Sequence, residues 1–102
     1  MTNDQRPPTN DHPMTHECTT TLPGAEVLAR AIEFFAERVP QTAAFPDERG
    51  ATFLTLRGQG GEEVAIAVST DVGVTRVRAS TLFFDQAVAR FLGTLPVAEV
   101  VA

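Results

Sequence analysis

Between Leu22 and Leu95, the spacing of apolar residues changes from a helical period to a strand period and back to a helical period. In the first segment, apolar residues recur every three or four positions, which places them on one face of a helix. They are Val27, Leu28, Ala31, Ile32, Phe35 and Val39. Pro23 suits the first turn of this helix, and Pro40 ends it because the residue before a proline avoids the helical conformation.

Three short runs, at residues 52–56, 64–68 and 75–79, alternate as half-buried strands do. Glycine-containing stretches lie between these runs and predict hairpin turns. If the leucines of the first run share a face with Val64 and Ile66, opposed residue numbers must sum to an even number, which requires a loop of odd length. The pattern therefore predicts a three-stranded antiparallel meander.

A second helix is predicted to start at Ser80 or Thr81, either of which can cap it, and to end at Gly93. Its buried stripe consists of Leu82, Phe84, Ala87, Val88, Phe91 and Leu92. Each helix and the sheet has one apolar face, and the simplest arrangement packs both helices side by side on one face of the sheet. We therefore predict an α+β fold of the order α-β-β-β-α. Phe35, Ile66, Val88 and Phe91 should be among its least accessible side chains.

The ends of the chain differ from its middle. Residues 1–21 are rich in Thr and Pro and carry too little apolar surface to offset the entropy of ordering, so they are predicted to form a flexible tail. Residues 22–96 are predicted to form a single α+β domain. Within it, 41–50 is predicted to be a loop in which Phe45 fills the core. Residues 97–102 are either a tail, an added edge strand or a peptide presented to another protein.

Composition narrows the function classes. The 102 residues carry a net charge of −5 and contain no Lys, which argues against nonspecific binding to nucleic acid or to an anionic membrane. No apolar run approaches the roughly 20 residues that span a bilayer. The N-terminus lacks the basic and apolar regions of a secretory signal, so we expect a cytoplasmic protein.

Residues able to carry out chemistry are few. His12, His16 and Cys18 could ligate a metal, but Pro13 disrupts the helix that would align the two histidines, so no metal site is assigned. The Gly58–Gly61 loop lacks the Lys and the following helix of a phosphate loop. No nucleophile and base, metal cluster or cofactor loop lies within the predicted domain, so we expect no cofactor, no small-molecule substrate and no enzymatic activity.

The face of the predicted sheet away from the helices is the main candidate surface. By alternation it displays six residues of interest, namely Phe53, Arg57, Ala65, Ala67, Arg76 and Arg78. One interpretation is a solvated face whose arginine stems cover the alanines. The other is an interface, because exposed Phe and Arg side chains are favoured where proteins meet.

The predicted element order resembles that of double-stranded RNA-binding domains, which open their second helix with lysines that meet phosphates. Here that place reads Ser80-Thr-Leu-Phe-Phe-Asp85, so the resemblance stops at topology and does not imply RNA binding. The leading hypothesis is a small non-catalytic interaction module, acting as a homodimer or as an accessory or chaperone-like subunit. Its partner would be itself or another protein. The alternative is a degenerate nucleic-acid-binding module that uses Arg57, Arg76 and Arg78.

Overall fold

The structure, a computed structural model, describes residues 14–38 and 43–97 and has two α-helices and five strands in this part of the chain. In chain order they are β1 (Met14–Thr20), α1 (Gly24–Glu33), β2 (Ala44–Arg49), β3 (Phe53–Gly58), β4 (Glu63–Asp71), β5 (Val74–Thr81) and α2 (Asp85–Gly93). The α+β class is therefore confirmed, but the observed order is β-α-β-β-β-β-α. The sheet has five strands instead of the predicted three.

All five strands form one antiparallel sheet in the order β1-β5-β4-β3-β2. The three predicted strands are its inner strands. Leu54 lies opposite Ile66 and Leu56 opposite Val64, as the parity argument required. β4 and β5 are joined by a two-residue turn, Val72-Gly73, in which both residues have positive φ. The two strands that the sequence pattern did not predict are the two edges.

Strand β1 corrects the predicted tail over 1–21. Its residues pair with β5 along their whole length, from Met14 opposite Thr81 to Thr20 opposite Thr75. Thr20 is fully buried, and Cys18 packs against the core. The hydrogen bonds with β5 and the burial of one side of the strand hold this polar segment in place. The segment has too few apolar residues for its burial to be predicted from the sequence. Residues 1–13, which include His12, lie outside the described part.

Strand β2 corrects the predicted loop over 41–50. Its register with β3 shifts between Pro46 and Glu48, which is an irregularity that an edge strand tolerates because its outer side has no ladder to maintain. Ala44 is the residue that enters the core here. Phe45 was predicted to fill the core, but it points the other way and is 51% exposed.

Both helices supply side chains to one core. α1 buries Val27, Leu28 and Ala31 against β3, β4 and β5. It continues into a π-helical turn, Phe34–Arg38, at which Phe34 and Phe35 are both buried. Their rings lie 5.4 and 5.9 Å from the ring of Phe91 in α2. The four side chains predicted to be least accessible, Phe35, Ile66, Val88 and Phe91, are each at most 1% exposed, so that prediction is confirmed.

The second helix starts later than predicted and packs elsewhere. Thr81 is still part of β5, where its hydroxyl donates to the Glu63 carbonyl and accepts from the Phe84 amide. Because the chain leaves the strand only there, Leu82 is exposed and does not belong to the buried stripe. α2 contacts β1 and β5, so it packs at the β1 edge of the sheet. The three-stranded prediction did not include this edge strand.

The C-terminal end of the described chain touches the free edge of β1. Val97 forms an isolated antiparallel bridge with Thr20, whose other side pairs with β5. The alternatives predicted for 97–102 can be assessed at Val97 alone, because residues 98–102 lie outside the described part.

Candidate functional site

The sheet face opposite the helices, here called the free face, has no element packed on it within the described residues. Each strand contributes alternate residues to it, and the strand register arranges them in rows across the sheet. From β2 towards β1 the rows are Phe45-Arg57-Glu63, then Glu48-Thr55-Ala65-Ser80-Thr15, then Phe53-Ala67-Arg78-Glu17, then Ser69-Arg76-Thr19, then Asp71-Val74.

All six residues predicted for the interface lie on the free face. Phe53, Ala67 and Arg78 share one row, Ala65 and Arg76 lie in the two adjacent rows, and Arg57 lies two rows away. Ala67 is the middle residue of the five that β4, the central strand, contributes to this face. The structure therefore brings the predicted set together around Ala67.

Each arginine of the free face forms an ion pair with a neighbouring carboxylate. Arg57 lies 3.1 Å from Asp47, Arg76 lies 3.1 Å from Asp71, and Arg78 lies 3.5 Å from Glu17. All six side chains remain between 42% and 69% exposed, so each pair contributes about 0.2–1 kcal/mol at most. The main effect of these ion pairs is therefore to orient the guanidinium groups, and their contribution to the stability of the fold is small.

Two phenylalanines stand on the free face. Phe45 lies beside Arg57 near one end of the sheet, and Phe53 lies beside Ala67. Phe53 is 42% exposed, and one edge of its ring packs on the backbone of Gly50, where a Cβ atom would collide with it. This contact fixes the ring at the rim of the sheet while leaving much of it exposed to solvent.

A shallow concavity of about 480 Å³ lies on the same face between β1, β5 and β4. The side chains of the free face that border it are Glu17, Thr19, Ala67, Ser69, Arg76 and Arg78. Its floor is low because Ala67 and Ser69 are small, and its rim carries both signs of charge. Such a surface can receive a side chain of a partner without burying an unpaired charge.

Sequence reasoning missed the anionic half of the free face and one of its aromatic residues. Glu17 lies on β1, while Asp47 and Phe45 lie on β2, and both strands had been assigned to other structure. A signal for β1 was present, because Thr15, Thr19 and Thr20 are β-branched residues that favour strands. Pro46 and three successive charged residues concealed β2, although edge strands commonly carry both.

A second group of polar side chains lies on the helix side of β1. His16 Nε2 is 2.5 Å from Asp85 Oδ1 at the start of α2, which ties the edge strand to that helix. Cys18 lies two residues further along the same face of β1, and burial raises the pKa of its thiol. A raised pKa lowers the thiolate fraction, so Cys18 is a weaker nucleophile than a free cysteine. No hydrogen bond joins His16 to Cys18 in the described chain.

Within residues 14–38 and 43–97, no group of three or more His, Cys, Asp or Glu side chains is placed to hold a metal ion. His12, part of the metal set considered from the sequence, lies outside these ranges. The helices of this described part include none that is long and apolar enough to cross a membrane. No protein-family model matches the chain, and no curated protein matches its sequence.

Proposed function

We propose that this chain is a small non-catalytic protein-interaction module that binds a protein partner through the free face. The observation that carries the proposal is the row Phe53-Ala67-Arg78-Glu17, which sets an exposed aromatic ring and an ion-paired arginine on either side of the smallest part of the face. Aromatic and Arg side chains supply much of the binding energy at protein interfaces. The small residues between them allow close approach.

The charge distribution of the free face favours a protein over a nucleic acid. When arginines neutralise the phosphates of a nucleic acid, the counterions condensed on those phosphates are released, so binding needs arginines that are free to pair with phosphate oxygens. Arg57, Arg76 and Arg78 each already face a carboxylate, and the whole chain carries a net charge of −5. The degenerate nucleic-acid-binding module is therefore the weaker alternative. Salt-sensitive binding of single- or double-stranded oligonucleotides would favour it instead.

The same reasoning supports a non-catalytic role. The candidate nucleophile Cys18 has a raised pKa and lies half-buried on the helix side of the sheet, away from the free face. The imidazole of His16 is oriented by Asp85 and links β1 to α2. Both features fit a packing role for these side chains.

Site-specific photo-cross-linking in the cells that make the protein tests this proposal. A photoreactive residue at Ala67, in the centre of the free face, should give discrete covalent adducts with protein. The matched control places the same residue at Ala29, an exposed alanine on α1. Combining Arg76→Glu and Arg78→Glu with the Ala67 probe should abolish the adducts while leaving the circular dichroism spectrum unchanged.

Two results would contradict the proposal, and a third would contradict the role given to the arginines. Equal adducts from Ala67 and Ala29 would mean that the free face has no preference over the rest of the surface. Adducts from neither position would mean that the free face is only a solvated surface. Adducts that persist when Arg76 and Arg78 are both changed to Glu would show that these two arginines do not contribute to the interaction.

A further inference from the structure

We infer that the partner of the free face is a second copy of this chain, packed face to face about a two-fold axis that runs along β4. This inference rests on the proposed function, since it names the occupant of the same surface. It follows from the size of the free face, from its charge distribution and from the position of its smallest side chains.

The free face is large enough for a specific dimer. Five strands spaced by about 4.8 Å make the face roughly 24 Å wide. The strands have six to nine residues with a rise of about 3.3 Å per residue, so the face is also roughly 24 Å long and covers about 550–600 Å² per copy. Two copies would bury about 1,100–1,200 Å², which passes the roughly 1,000 Å² expected of a biological interface. This estimate is at the small end of the range, so we expect a dimer that dissociates on dilution.

The centre of the face fixes where the two copies are closest. In a symmetric face-to-face dimer the two-fold axis lies in the interface and passes through its centre. Ala67 occupies that centre, because it is the middle outward residue of the middle strand. The Ala67 side chains of the two copies should therefore approach each other whichever way the axis runs.

The row through Ala67 selects the direction of the axis. Phe53 lies one strand to one side of Ala67, and Arg78 lies one strand to the other side. An axis running across the strands would set Arg78 against the same cation of the second copy. An axis along β4 exchanges β3 with β5 and sets Arg78 over Phe53, which is a cation–π arrangement that forms twice in the dimer.

The same axis accommodates the carboxylates of β4. Glu63 and Asp71 lie near the axis, where each meets its own copy. Arg57 on β3 lies one strand from Glu63, and Arg76 on β5 lies one strand from Asp71. The two-fold axis places the same arginine of the second copy on the other side, so each carboxylate is flanked by arginines from both copies. Glu63 forms no ion pair within the described chain, although Arg57 lies opposite it on β3.

Light scattering and thiol cross-linking of the purified full chain test this inference. The starting variant is Cys18→Ala, which removes the single natural thiol. Ala67→Cys in that background should yield a covalent dimer with a short bis-maleimide reagent, and Ala29→Cys should not. A mass that changes from dimer to monomer on dilution should accompany the cross-linking.

A pair of cysteine variants tests the direction of the axis without removing the residues proposed to bind. Thr55 on β3 and Ser80 on β5 flank Ala65 in one row. If the axis runs along β4, a mixture of Thr55→Cys and Ser80→Cys chains should cross-link more strongly than either alone.

Phe53→Ala and Arg78→Ala should each raise the dissociation constant of the dimer about five- to thirty-fold.

The outcomes separate this inference from the proposed function. A monomer at every accessible concentration overturns the second copy as the partner. If Ala67 then gives photo-adducts only with other proteins, the proposed function still stands. A dimer that cross-links through Ala29 but not through Ala67 overturns the inference, because association would then use another surface. Equal cross-linking of the Thr55→Cys and Ser80→Cys chains alone and mixed overturns the axis along β4.

Discussion

The two faces of the sheet are formed by the same strands, but they differ in the chemistry of their side chains. Leu54, Leu56, Val64, Ile66 and Val77 point towards the helices and are at most 1% exposed. The residues between them on the same strands point to the free face and are small, charged or half-exposed aromatic. The helix side therefore carries the hydrophobic stabilisation, while the free face carries ion pairs that each contribute little.

This difference means that folding and binding depend on separate sets of residues. A substitution on the helix side should destabilise the fold, whereas one on the free face should change association and leave the stability of the fold nearly unchanged. The contrast can be tested with adjacent residues of one strand, because successive side chains point to opposite faces.

The largest effect is expected at Phe91, where the two helices meet. Its ring is 1% exposed and lies 5.4 Å from that of Phe34 and 5.9 Å from that of Phe35. Phe91→Ala should lower the free energy of unfolding by about 3–5 kcal/mol, since it leaves a cavity between the helices. Urea titration followed by circular dichroism measures this change. A midpoint equal to that of the parent would show that α2 does not pack as described.

The second effect compares the faces directly on β3. Leu56 is fully buried on the helix side, and its neighbour Arg57 is exposed on the free face. Leu56→Ala should cost about 2–5 kcal/mol, whereas Arg57→Ala should cost less than about 1 kcal/mol because it removes only an exposed ion pair. Thermal melts of both variants under one condition make the comparison. Equal losses would mean that the free face is covered.

The inner part of the fold could be predicted because its pattern is strong. β3, β4 and β5 bury one side only, so apolar and polar residues alternate, and the parity expected between β3 and β4 agrees with their observed pairing. The free face could be derived for the same reason. Once three neighbouring strands were assigned, alternation placed Phe53, Ala67 and Arg78 on one side.

The edges could not be predicted because the forces that order them leave little trace in the apolar pattern. β1 has one ladder and a half-buried inner side, so His16 and Cys18 take places that aliphatic residues would fill in a central strand. β2 carries Pro46 and charges that discourage further pairing on its outer side. The ion-pair partners Glu17 and Asp47 were missed with these strands, which made the free face look more basic than it is.

A smaller effect is expected in the turn between β4 and β5, which belongs to neither face. Val72 is 95% exposed and has a φ of 50°, a conformation that a β-branched residue rarely adopts. Val72→Asn should raise the free energy of unfolding by about 1 kcal/mol, because Asn tolerates positive φ in two-residue hairpin turns. The gain should appear as a higher melting temperature.

Gly73 provides the control for that turn. Its φ is 81°, and a Cβ atom added there would meet nothing within 4 Å. Gly73→Ala should therefore cost about 1–2 kcal/mol through backbone conformation alone. A destabilised Val72→Asn variant, or an unchanged Gly73→Ala variant, would contradict the positive φ values of this turn.

The smallest effect concerns Cys18, which lies on the helix side but at its half-buried margin. Burial raises the pKa of its thiol in the folded chain, so the folded state holds this proton more tightly than the unfolded state. The associated stability is present below the unfolded pKa and is lost as pH rises through the folded pKa. Because the chain contains no Lys or Tyr, Cys18 is its only side chain that titrates in the alkaline range below that of Arg.

The parent should therefore lose a small part of its stability between neutral and alkaline pH, since the thiol remains partly exposed. Cys18→Ala should be less stable than the parent at pH 7, because it removes packing against the core, but its stability should vary less above pH 8. Thermal melts of both proteins at a series of pH values measure the difference between the two slopes. Parallel slopes would show that the thiol is as solvated in the folded chain as in the unfolded one, and would place β1 further from α2 than the His16–Asp85 contact implies.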